Sequence, residues 1–166
     1  KATFERNKEA ALSESKYVIS CMNTDKACIF TDTGRLHLIK ITDMPFGRFR
    51  DKSIPLDNLG NYDSSGENII HICNLASIQD SMMLFATKTG MLKLVKGSEF
   101  DVSKRTVAAT KLADGDSIIA ICTADNFNQL VLQTENGYFI RFPMMNIPEM
   151  KKTAIGVRGI SLGSGD

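Results

Sequence analysis

The sequence predicts an all-β fold built from a repeated four-stranded unit, and three observations carry that prediction. A Thr-x-x-Gly turn followed by a largely apolar run occurs three times, as TDTGRLHL (31–38), TKTGMLKL (87–94) and TENGYFIR (134–141). The turn glycines, Gly34, Gly90 and Gly137, stand 56 and then 47 residues apart, and the runs around them keep one order in every unit. Each run spans about four to eight residues, is rich in Ile, Val, Leu and Phe, and is bounded by Gly, Asp, Asn or Pro, which selects short strands over helices.

A first apolar run opens each unit, at 17–22, 69–74 and 118–123, and a second ends in the turn threonine, at 27–31, 83–87 and 130–134. Asp-Thr-Gly, Lys-Thr-Gly and Glu-Asn-Gly then suit tight hairpins in which Gly takes the positive φ that other residues resist. The third runs are RLHLIK, MLKLVK and YFIRFP; a weaker fourth run follows near 53–59, 106–112 and 155–162. Gly plus an acid closes every unit: Gly66-Glu67, Gly115-Asp116 and Gly165-Asp166. Four strands in a period of about 50 residues is the requirement of a propeller blade. A generic antiparallel sandwich also strings short strands together, but it has no reason to repeat its loop chemistry. The division expected is therefore about three blades, at 17–67, 68–116 and 117–166, with residues 1–16 a linker or the tail of a preceding blade. Propellers close with roughly 4 to 8 blades, so three predict a fragment of a longer array.

Composition narrows the function. Of 166 residues 43% are hydrophobic and 23% charged, and no apolar run approaches the ~18 to 20 residues of a membrane span. The opening KATFERNKEAALSESK lacks the apolar core of a signal peptide, which predicts a cytoplasmic protein without a membrane partner. Cys21, Cys73 and Cys122 each take the fifth place of a similar hexamer (YVISCM, IIHICN, IIAICT), as expected of a small apolar residue on a buried strand. His37 and His71 lack the sequence neighbours of a catalytic or metal site. Phosphate-cradling and nucleophile-elbow motifs are missing, so catalysis and bound cofactors are not expected in this chain.

The formal net charge is only +1, yet charge is phased with the repeat. Residues 40–52 hold four basic and two acidic side chains, 93–111 five and two, and 141–158 four and one, giving +2, +3 and +3. Between them, 53–80 and 112–140 each contain four acids and no Lys or Arg. Around an axis, equivalent positions fall on one rim, so these segments form a curved basic band. Any single Lys or Arg could merely solubilise a loop; three phased segments favour the band. Its natural partner is an extended polyanion, duplex DNA above all. Trp is absent and Tyr17, Tyr62 and Tyr138 are scattered, so stacking of single-stranded bases is not the expected mode.

TDTGR with the following MPFGR, LFATKTGMLKLVKGSEF with KRTVAA, and LVLQTENGYFIRFPMMNIPEM with KKTAIGVRGISLGSGD together resemble the C-terminal DNA-wrapping domain of bacterial type IIA topoisomerase A subunits. That family comprises the gyrase and topoisomerase IV A subunits. The resemblance runs from about Tyr17 onward and implies a β-pinwheel, a propeller-like disc whose neighbouring blades exchange strands and whose basic perimeter bends DNA. By position the three units look like the second to fourth of about six. Gyrase's QRRGGKG box belongs to the first blade and does not occur here, so gyrase and topoisomerase IV stay unseparated. The resemblance further implies a noncatalytic domain joined to the catalytic core of its own A subunit, with the ATPase B subunit completing an A2B2 holoenzyme, nucleoid-associated in the cytoplasm, and with ATP and Mg confined to that holoenzyme. Arg48, Arg50, Lys52, Lys104, Arg105, Lys151, Lys152 and Arg158 are the expected DNA contacts, with Lys93 and Arg141 next. Lys93 and Arg141 differ by one place relative to their turn glycines. The alternative from another class is a propeller-type protein-interaction scaffold; the absence of Trp removes its Trp-Asp form.

Overall fold

A computed structural model describes residues 8–10, 12–48 and 51–166. Its strands are β1 (Lys26–Thr31), β2 (Arg35–Lys40), β3 (Ile69–Asn74), β4 (Met82–Thr87), β5 (Met91–Lys96), β6 (Thr106–Ala108), β7 (Ile118–Thr123), β8 (Gln129–Gln133), β9 (Phe139–Pro143) and β10 (Val157–Arg158). Residues 8–10 and 12–14 are helical.

All three repeated turns close as the sequence predicts. The amides of Gly34, Gly90 and Gly137 donate to the carbonyls of Thr31, Thr87 and Thr134 at 3.1, 2.9 and 3.1 Å, and their φ angles are +78°, +80° and +82°. A four-residue turn ending in a left-handed glycine matches the right-handed twist of the strands it joins. The turn threonines are buried. Thr87 Oγ1 accepts from the Met91 amide and Thr134 Oγ1 from the Tyr138 amide, each at 3.2 Å, so the hydroxyl satisfies a donor that the turn leaves without a ladder partner.

The closing acids act on the same turns. Glu67 Oε2 accepts from the Thr33 hydroxyl at 3.2 Å. Asp116 accepts from the Thr89 amide at 3.0 Å and its hydroxyl at 2.8 Å, and Asp166 from the Asn136 amide at 2.8 Å. Each unit thus clasps its own hairpin tip with its last residue.

Strand order reveals how the units join. The first sheet runs β3-β1-β2-β6 and the second β10-β5-β4-β7, while β8 and β9 form a two-stranded sheet. Both outer strands of each complete sheet come from the following unit: β3 and β6 flank the β1–β2 hairpin, and β7 and β10 flank β4–β5. The periods 17–67, 68–116 and 117–166 therefore mark repeats of sequence, whereas each complete sheet draws on two successive repeats.

That exchange corrects two expected strands. The 17–22 run has no ladder, and 53–59 carries a 3-10 turn at Leu56–Asn58 in place of a fourth strand. Their equivalents in later units pair with the hairpin one unit earlier, and among the described residues no such hairpin precedes the first unit. A strand-like composition without a partner to accept its backbone groups stays out of a sheet. Cys21, expected on a buried strand, is consequently exposed; Cys28 and Cys73 are buried and Cys122 is half-buried.

Successive sheets stack face to face. Phe30 on β1, Phe85 on β4 and Phe100 meet with ring centroids 5.2 to 6.0 Å apart, two of the three pairs edge to face. Around them Leu36, Met83, Val95 and Ile118 complete the core between the first two sheets. The opposite face of the second sheet, through Leu84, Ala86 and Leu92, packs against Met144 and Ile147 of the third unit. Burial on both faces explains why β4 reads MMLFAT without alternation.

Candidate nucleic-acid interface

The basic segments lie at seams between units. Leu38 on β2 donates its amide to the Arg105 carbonyl at 2.7 Å, which fixes the Lys104-Arg105 pair of the second unit beside the end of the first hairpin. Lys26 and Lys40 are register partners at that end. With Lys104, Arg105 and Asp43 they line a cleft of about 30 Å³. Arg105 Nη2 lies 3.7 Å from Asp43 Oδ2, and its side chain stays 69% exposed. Lys26 Nζ pairs with Asp101 at 3.3 Å. Four cations thus crowd around two carboxylates, so a positive excess faces solvent.

One unit later the arrangement recurs. Glu99, nine residues past its turn glycine as Asp43 is past its own, holds Lys151 at 3.2 Å, and the Lys151 side chain is 80% exposed. Glu99 also accepts from the Lys152 amide at 3.0 Å, while Lys152 Nζ donates to the Glu99 carbonyl at 2.6 Å. Burial would push the Glu99 carboxyl up, but the Lys152 amide and the two ammonium groups bring it below its ordinary value. Lys96 adds a further exposed cation, 3.2 Å from Glu149. An acid of one unit therefore meets a cation of the next unit's basic pair, Asp43 at Arg105 and Glu99 at Lys151, on two successive sheets.

The other expected contacts are distributed along these elements. Arg48 and Lys52 are exposed, and the Arg48 amide donates to the Asp51 carboxylate at 2.6 Å; Arg50 lies outside the described residues. Arg141 is exposed on β9 and Arg158 on β10, paired with Met91. Lys26, Lys40 and Lys96 join the candidates. Hairpin register, which brings the first and last residues of β1–β2 together, was the signal that could have found the first two.

Lys93 is a correction. It is 1% exposed, and its Nζ donates to the carbonyls of Ala154 at 2.7 Å, Lys152 at 3.0 Å and Lys151 at 3.4 Å. Three donors meet three acceptors 5.6 Å above the Phe85 ring, which leaves nothing for a phosphate. Lys93 stands on the same face of β5 as buried Val95, so its side chain runs under the incoming segment of the third unit. Burial pushes its ammonium down to about 8, opposed by the attraction of Glu99. His37 occupies the equivalent place on β2, also 1% exposed, with Nδ1 3.1 Å from the Thr106 hydroxyl and Nε2 2.9 Å from Glu67 Oε1. Both side chains latch a segment delivered by the next unit.

Among the described residues no group of three His, Cys, Asp or Glu is placed to hold a metal ion, and no helix is long and apolar enough to cross a membrane.

Comparison with known proteins gives this geometry a family. The model of the DNA gyrase C-terminal domain, beta-propeller, matches residues 81–121 and 128–166. The DNA gyrase A subunit of Chlamydia pneumoniae is 33% identical over 150 residues, covering 89% of this chain and 18% of that protein. The Lawsonia intracellularis counterpart is 31% identical over 159 residues, covering 93% and 19%. The chain thus spans less than a fifth of these curated relatives. Among solved structures, the C-terminal domain of DNA topoisomerase IV superposes with a TM-score of 0.82 at 22% identity, over 96% of this chain and 53% of that one. The E. coli ParC C-terminal domain gives 0.75 at 18% identity, over 90% and 59%. The DNA gyrase A C-terminal domain gives 0.62 at 20%, over 87% and 46%. These three share the fold. Strand exchange, repeat and sequence agree, and the chain belongs to the family of C-terminal domains of bacterial type IIA topoisomerase A subunits, those of gyrase and topoisomerase IV.

Proposed function

We propose that this chain binds duplex DNA without regard to sequence, bends it and wraps it, as the noncatalytic portion of a type IIA topoisomerase A subunit. The observation that carries the reading is the repeated seam, where an exposed cation of the basic pair, Arg105 or Lys151, meets an acid of the preceding unit on two successive sheets. Equivalent cations spaced by the stacking of sheets match a partner whose charges recur along a curved path. Lys104, Arg105, Lys151 and Arg158 contact phosphates, with Lys26, Lys40, Arg48, Lys52, Lys96 and Arg141 extending the band. Such contacts position DNA and read no bases. They must offset a bending cost on the order of 1 to 6 kcal/mol for ~20 to 30 base pairs. The bent segment is presented for strand passage to the catalytic core of the same A subunit, which assembles with the ATPase B subunit in an A2B2 enzyme. ATP and magnesium chemistry belong to those parts.

The test titrates the full-length A subunit into a linear duplex over a salt series, with bending followed by end-to-end energy transfer. Affinity should fall with salt at a slope of about −0.9 per phosphate neutralised. Reversing Lys104 and Arg105 to Glu should weaken binding similarly on every DNA sequence and flatten that slope by about 0.9 for each phosphate no longer neutralised. Salt-independent binding, or a loss confined to one sequence, contradicts the reading.

A further inference from the structure

Cys28 on β1 and Cys73 on β3 are directly opposed in the antiparallel register of the first sheet. Directly opposed residues lie about 4.5 or 5.5 Å apart at Cα, and both spacings fall within the ~4.4 to 6.8 Å that a disulfide spans. Opposed side chains leave a sheet on the same side. Both sulfurs therefore face the core between the sheets, where Cys28 is fully buried and Cys73 is 8% exposed. Both are free thiols. Cys73 stands on β3, an outer strand of this sheet, and borders a 260 Å³ groove with Tyr17, Ile19, Cys21, Ile41 and Met44. The mutual thiol contact, opposed by burial and aided by His71, draws Cys73 down, whereas the same contact and burial push Cys28 up. Cys73, on the outer strand and the less buried of the two, is assigned as the nucleophile, with Cys28 as the proton holder. The equivalent place on the second sheet sets Leu84 opposite Cys122, which offers no second sulfur.

We propose that Cys28 and Cys73 form a redox-responsive pair that closes into a disulfide when a peroxide reaches the outer strand β3. Cys73 Sγ attacks one peroxide oxygen, the O–O bond breaks, and the departing hydroxide takes up a proton, leaving a sulfenic acid on Cys73. Cys28 Sγ then attacks Cys73 Sγ; the S–S bond forms, the S–O bond breaks, and the hydroxyl leaves as water with the Cys28 proton. The two sulfurs together give up two electrons, and hydrogen peroxide is reduced to two waters. An external thiol reverses the reaction by exchange. Because β1 belongs to the first sequence unit and β3 to the second, the bond covalently staples one unit to the next.

The experiment treats the intact protein that carries this chain with hydrogen peroxide, alkylates the remaining thiols and maps the peptides by mass spectrometry. The expected result is a Cys28–Cys73 cross-linked peptide, lighter by two hydrogens and abolished by dithiothreitol, with Cys122 recovered alkylated. Hydrogen exchange should slow at 26–31 and 69–74 on oxidation, leaving 82–87 and 118–123 unchanged. In a Cys28→Ser variant the sulfenic acid should persist on Cys73 and be trapped by dimedone. Recovery of Cys28 and Cys73 as separate alkylated peptides, or a Cys21–Cys73 link in place of the proposed one, overturns the proposal. If Cys28→Ser does not fold, the peptide map of the unaltered protein decides alone.

Discussion

Three places past its turn glycine, the β4–β5 hairpin carries Lys93, 1% exposed and bound to three carbonyls of the following unit. At the same place the β8–β9 hairpin carries Ile140, 39% exposed. The contrast extends through both elements. A methyl group added to Gly90 would meet Ile160 of the following unit, and one added to Gly137 would meet nothing within 4 Å. Strand β4 is buried on both faces, while β8 alternates half-buried and exposed residues, and Tyr138 and Phe139 are 70% and 67% exposed. Yet the turn and the acid clasp are formed in both. A hairpin of this repeat is therefore complete within its own unit, whereas a sheet requires the next one.

The largest effect that can test this division lies in the core. Phe85→Ala empties a site shared by Phe30 and Phe100 between the first two sheets, and should cost about 3 to 5 kcal/mol. In a protein of these 166 residues alone, where Phe139 is 67% exposed, Phe139→Ala should stay within about 0.5 kcal/mol. Urea unfolding of the two variants measures both. Comparable losses would mean that the third hairpin is covered as closely as the second.

A smaller effect tests the latch. Lys93→Met preserves the apolar stem but removes a donor from three carbonyls; that of Lys152 is left without one, while those of Lys151 and Ala154 keep the Ala154 amide and the Thr110 hydroxyl, a loss of about 1 to 3 kcal/mol. The pH dependence separates this from generic packing. Folded Lys93 gives up its proton at about 8, while the unfolded chain holds it to 10.5. Between those values the unfolded state binds more protons, so stability rises with pH by at most ~1.4 kcal/mol per unit. Lys93→Met should lack that rise. A variant with the same profile as the parent would place the titration elsewhere.

Legibility followed the same division. Hairpins, turn glycines and the repeat could be read because each is decided within about ten residues. The outer strands could not, since 17–22 and 69–74 have similar composition and differ in whether a preceding hairpin accepts them. The basic pairs at 104–105 and 151–152 were visible as charge, but the acids that meet them, Asp43 and Glu99, lie one unit away in sequence. Lys93 was misassigned because a charged residue on a strand usually means an exposed face. Its shared parity with Val95 was the available warning. His37 looked partnerless because Glu67 and Thr106 are 30 and 69 residues distant.

The smallest effect isolates the contribution of the next unit to a single turn. Gly90 and Gly137 have nearly identical φ angles, +80° and +82°, so Ala at either position incurs the same left-handed penalty of about 1 to 2 kcal/mol. Only at Gly90 would the new Cβ stand 2.9 Å from Ile160 Cγ2 and 3.1 Å from its carbonyl oxygen. The Gly159 amide donates to the Gly90 carbonyl at 2.8 Å, which holds that segment against the turn and limits its retreat. Gly90→Ala should therefore exceed Gly137→Ala by about 1 kcal/mol, at the lower end of the usual cost of overpacking. Equal losses, measured by thermal unfolding of the paired variants, would show that the turn glycines are retained for their φ alone and that the approach of the neighbouring unit adds nothing.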